Sequence, residues 1–83
     1  MSPRLPQVSG RDVVKLLECL GYEVVRQRGS HIRLRKATEE GGHFITVPAH
    51  KVVAKGTLSD ILTAVSRATG IPKKTLREML RHI

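Results

Sequence analysis

Tyr22–Lys36 reads YEVVRQRGSHIRLRK, and its period decides the fold. From Tyr22 the pattern repeats every second residue, as in a strand whose successive side chains point to opposite faces. Arg28 and Gly29 interrupt the run, and a glycine there can take the positive φ that a tight turn requires. The segment is expected to form a β-hairpin from YEVVRQ and SHIRLRK. In its second strand Ile32 and Leu34 share one face, while His31, Arg33 and Arg35 share the other.

Outward from the hairpin, the pattern on both sides is helical or strand-like in turn. Upstream, Pro3 and Pro6 mark an irregular lead-in, and Ser9 with Asp12 has the spacing of a capping box. A helix then places Val13, Leu16, Leu17 and Leu20 on one stripe, and Gly21 stops it. Cys19, the one cysteine, is read as a small packing residue of that helix. Downstream, ATEEGG is a loop and HFITVP a third strand ended by Pro48, completing an antiparallel meander. After the basic connection AHKVVAK, Thr57 is read as the N-cap of a second helix with Asp60 at the capping-box position. Leu58, Ile61, Leu62 and Val65 form its stripe, Gly70 ends it, and Pro72 opens a third helix with Leu76, Met79 and Leu80. The expected architecture is a single two-layer α+β domain over residues 1–83, in the order helix, three strands, helix, helix.

Composition narrows the partner. Fifteen Lys and Arg against seven Asp and Glu leave a net charge of +8 on 83 residues, which points to a polyanion. No apolar run approaches the roughly 18 residues of a membrane span, and MSPRLPQVSG lacks the apolar middle of a secretory signal. A cytoplasmic protein with no membrane partner is expected, and a lone cysteine agrees with a reducing compartment. Tyr22 and Phe44 are the only aromatic residues, which argues against sheet-stacking RNA modules and leaves recognition to phosphates and shape. His31, His43, His50 and His82 lack metal-ligand spacing, so no metal or other cofactor is expected.

Three stretches, GYEVVRQRGSHIRLRK, ITVPAHK and KGTLSDIL, in that order and at these separations, resemble the HicA (YcfA-like) toxins of toxin–antitoxin systems. The likeness covers residues 8–62; the helical segment 63–83 is longer than is usual in that family. The resemblance implies a fold like the double-stranded-RNA-binding domain, a metal-independent RNA-cleaving activity and a HicB-like antitoxin. It also implies that Gly29-Ser30-His31 is the catalytic element, with His31 the active-site histidine, and that Pro48, His50 and Gly56-Thr57-Leu58 have scaffold or binding roles.

The residues themselves suit that chemistry. Attack by the ribose 2′-hydroxyl on its own phosphate needs a base rather than a metal, and histidine is the side chain best matched to proton exchange near neutral pH. Arg28, Arg33 and Arg35 can hold flanking phosphates and stabilise charge on phosphorus. His50, Lys51 and Lys55, with the turn residues Gly29 and Ser30, complete the expected RNA-binding set, and His50 is a candidate acid for the leaving oxygen. Two other classes compete: a noncatalytic double-stranded-RNA-binding module, and a DNA-binding helix-turn-helix built from Ser66, Gly70, Leu76 and Met79 with Lys73, Lys74 and Arg77 facing DNA. Assembly as a homodimer or as a hetero-oligomer with the antitoxin is left open.

Overall fold

The computed structural model describes residues 7–83, so the Pro3 and Pro6 lead-in lies outside the described residues. The order is α1 (Gly10–Cys19), β1 (Glu23–Arg28), β2 (His31–Lys36), β3 (His43–Pro48), α2 (Lys55–Thr69) and α3 (Lys73–Arg81). It is the α+β arrangement expected, with one antiparallel sheet in the order β1-β2-β3. Helices α1 and α2 lie against the sheet, and α3 packs on those two helices rather than on the strands.

Local chemistry sets each boundary. The Ser9 hydroxyl accepts from the Asp12 amide while the Asp12 carboxylate accepts from the Ser9 amide, a complete capping box at the start of α1. Gly10 must be glycine for space: a Cβ there would clash with the Pro48 carbonyl oxygen. That close approach brings the first turn of α1 onto the end of β3, where the Gly10 amide donates to the His50 carbonyl. At the other end of α1, the Lys36 ammonium donates to the Leu20 carbonyl at 2.6 Å, so β2 supplies the cation that the last turn lacks.

The hairpin turn is Gly29-Ser30, with Gly29 at φ +58° and Ser30 at negative φ. Positive φ at the first central residue alone is the type II′ pattern, whose twist matches the flanking strands. Its register pairs Arg28 with His31 and Arg26 with Arg33, and the extra residue Val25 forms a bulge before Val24 pairs with Leu34. The bulge leaves Val25 without a ladder partner, and Val24 and Val25 are both exposed on an edge strand buried nowhere along its length.

Two expectations are corrected. Helix α2 begins at Lys55 with Ala54 as its N-cap and no side-chain cap bond, so Thr57 lies inside the first turn. Buried Val53, whose amide donates to Val8, anchors the extended chain up to Ala54, and helical bonding starts directly from the Ala54 carbonyl. Cys19 is exposed, because the buried stripe of α1 runs through Val13, Leu16 and Leu17 and leaves the last helical residue on the solvent side. The core is one cluster joining these residues with Tyr22, Ile32, Leu34, Ile45, Val47, Val53 and the apolar stripes of α2 and α3. Among the described residues no charged side chain is buried in it. No described helix is long and apolar enough to cross a membrane.

Candidate functional site

Strand alternation divides β2 cleanly: Ile32 and Leu34 are buried, whereas His31 and Arg33 are exposed. Directly opposite residues in an antiparallel pair share a face, so the register assembles the outer surface in rows. Arg28, His31 and Pro48 form the row next to the turn; Arg26, Arg33 and Thr46 form the next; Glu23, Arg35 and Phe44 form the last. His31 therefore sits in solvent directly across from Arg28 and beside Arg33. Among the described residues none of the four arginines makes an ion pair, so their like charges repel one another across the face.

The turn is held in place from the third strand: the Ala49 amide donates to the Ser30 carbonyl at 2.6 Å. This ties Gly29-Ser30 to the chain leaving β3 and fixes the corner at which His31 stands. Arg35 is the least free of the cations, since its Nη2 donates to the Gly41 carbonyl at 2.7 Å. The Arg33 and Arg35 guanidinium carbons lie 4.7 and 5.9 Å from the centre of the Phe44 ring, within cation–π range.

The remaining predicted contacts lie elsewhere. His50 and Lys51 line a shallow groove beside α1 with Ser9, Arg11, Gln27 and Ile32. Ile32 turns away from His31 along the strand, so this groove opens on the helical side of the sheet and His31 is not part of it. Lys55 is exposed at the first residue of α2. On α3, Lys73 donates to the Ser59 hydroxyl of α2, Arg77 is half-buried and Lys74 is exposed. His43 is not free either: the buried Tyr22 hydroxyl lies 2.6 Å from its Nδ1, and burial raises the Tyr22 pKa above the ordinary phenol value. Among the described residues no three His, Cys, Asp or Glu side chains gather as a metal site would require.

Residues 10–66, well over half of the 83-residue chain, match the family described as HicA toxin of bacterial toxin-antitoxin. The chain belongs to the HicA toxin family. The match takes in α1, the whole sheet with its His31 face and most of α2, and it stops before α3. A HicA toxin is one half of a toxin–antitoxin pair, so an antitoxin partner comes with membership. No curated protein and no solved structure matches the chain.

Three residues of the HicA outer face were not read as site residues from sequence. Phe44 and Thr46 follow from the alternation of β3, because buried Ile45 and Val47 send their neighbours outward. Arg26 reaches the same face only through the Val25 bulge.

Proposed function

We propose that this toxin is a metal-independent endoribonuclease that cleaves mRNA by internal attack of the ribose 2′-oxygen. The imidazole of His31 accepts the 2′-hydroxyl proton, and the 2′-oxygen forms a bond to the adjacent phosphorus. The bond to the 5′-oxygen breaks, and that oxygen leaves as a hydroxyl with a proton drawn from solvent. Arg28, across the ladder from His31, and Arg33, on the same face, bind the reacting and flanking phosphates and offset the charge that builds on phosphorus. The observation that carries this reading is the solvent-facing His31 in a row with Arg28 and next to Arg33, on a corner held by Ser30 and Ala49.

His50 and Lys51, in the groove beside α1, and Lys55, at the start of α2, supply further phosphate contacts outside that face. Within a cell the substrate places the protein in the cytoplasm. A HicB-like antitoxin with an acidic surface inhibits by covering the outer face, which shuts RNA out by charge competition and by bulk.

The end groups test the scheme. Products carry 2′,3′-cyclic phosphate or 3′-phosphate with 5′-hydroxyl ends, chelator leaves the rate unchanged, and a single 2′-deoxy substitution at the cut site blocks the reaction. Products with 5′-phosphates would identify water as the nucleophile and remove His31 from the role given to it here.

A further inference from the structure

The outer face holds one feature that cleavage at His31 does not use. Phe44 is 46% exposed in the last row of that face, two rows from His31 and directly opposite Arg35. Packed inward, a phenyl ring would add to the core; here it contributes nothing to that cluster. Its contacts are instead the guanidinium groups of Arg33 and Arg35. A flat apolar ring flanked by guanidinium planes combines a stacking surface for a base with charge for the phosphates on either side of it.

From this we infer that Phe44, with Arg33 and Arg35, forms a nucleobase-stacking subsite that seats one base of the substrate strand at a fixed distance from the cut. The inference rests on the RNA reading proposed above. Along β2, the row of Phe44 lies four residue steps from His31, roughly 13 Å at the rise of a strand. One extended oligonucleotide crosses that distance with its phosphates passing Arg33. Because the face carries a single aromatic ring, it stacks a single base, and the contact is tolerant of base identity since every base presents a π-face. A protein partner could meet the arginines by charge alone, whereas the ring in line with the histidine suits a chain that alternates bases with phosphates.

The test uses the full chain and two uncleavable probes of equal length, a fluorescein-labelled 2′-O-methyl oligouridylate and its abasic counterpart. Phe44→Ala weakens binding of the base-bearing strand about tenfold or more and leaves the abasic strand unchanged, while circular dichroism stays that of the parent. The chain has no tryptophan, so Phe44→Trp supplies a single reporter whose emission is quenched by the base-bearing strand and not by the abasic one. Equal binding of the two strands by the parent, or tryptophan emission indifferent to the base, overturns the subsite while leaving the RNA reading intact. Loss of antitoxin binding in Phe44→Ala with RNA binding unchanged assigns the ring to the protein interface and overturns it too. If the parent binds neither probe, the RNA reading itself fails and the subsite falls with it.

Discussion

Strand β2 has two faces, and they obey different rules. Inward, Ile32 and Leu34 meet Ile45 and Val47 across the ladder, and all four are buried in the core cluster. Outward, the intervening positions are His31, Arg33 and Arg35, facing Arg26, Arg28, Phe44 and Thr46. The same six residues of backbone thus hold the fold together on one side and, with Arg26 and Arg28 of β1, present on the other four arginines that make no ion pair among the described residues. Stability is concentrated where apolar area leaves water, and the function proposed here where a protein this small can offer a polyanion a surface rather than a cavity. If this division is right, substitutions on the two faces fail in different assays.

The largest effect is expected outside. His31→Ala lowers RNA cleavage by roughly 10²–10⁴-fold, the value of a positioned base, with no change in thermal unfolding or circular dichroism. Retained cutting breaks the comparison, because the exposed face would then carry no chemistry. Its inward neighbour gives the mirror image. Leu34 is fully buried at the centre of the sheet, and Leu34→Ala costs about 2–5 kcal/mol of unfolding free energy, measured by urea titration. Whatever fraction of that variant remains folded cleaves RNA at the parental rate per folded molecule.

Most of this division is readable in the sequence, for a physical reason. Alternation is a property of the strand itself, so placing Ile32 and Leu34 inward sends His31 and Arg33 outward without knowledge of the rest of the chain. The capping box at Ser9 and Asp12 is equally local, and it forms as read. What escapes is whatever depends on contacts between distant segments. Val24 and Val25 are both apolar and give no sign of which one bulges, so the arrival of Arg26 opposite Arg33 is set by the ladder. The start of α2 is decided by the anchoring of Val53 on Val8, which outweighs the capping chemistry of Thr57 and Asp60. His50 falls in a connection without period, and only its pairing with Gly10 reveals that it sits beside α1.

A smaller effect sharpens the comparison on β3, where two neighbouring residues divide in the same way. Ile45 is buried and Phe44 exposed. Ile45→Ala should cost about 2–5 kcal/mol, whereas Phe44→Ala, despite removing the larger side chain, should cost about 1 kcal/mol or less, the worth of exposed cation–π contacts. Equal losses in urea titrations of the two variants would mean that Phe44 is a core residue and that the outer face is not free of structural duty.

The smallest effect has the opposite sign, and it probes the charge itself. Arg26 and Arg33 stand directly across the ladder from each other with no acidic residue in their row, an arrangement that destabilises a sheet by a few tenths of a kcal/mol. Removing one of the two should therefore stabilise the protein. Arg26 is the cleaner choice, since Arg33 also holds the Phe44 ring and its loss would offset the gain. Arg26→Gln is expected to raise the unfolding free energy by roughly 0.2–1 kcal/mol at low salt, with the gain fading toward 1 M salt as screening shortens to about 3 Å. The same change should weaken single-stranded RNA binding and flatten the log–log salt slope by about 0.7, one phosphate's share of counterion release. A variant that gains stability and loses affinity together shows that the repulsion on the outer face is kept for the ligand. A variant that loses stability at low salt shows that Arg26 is bound within the fold, and the row of Arg26, Arg33 and Thr46 would then belong to the structural side of the sheet.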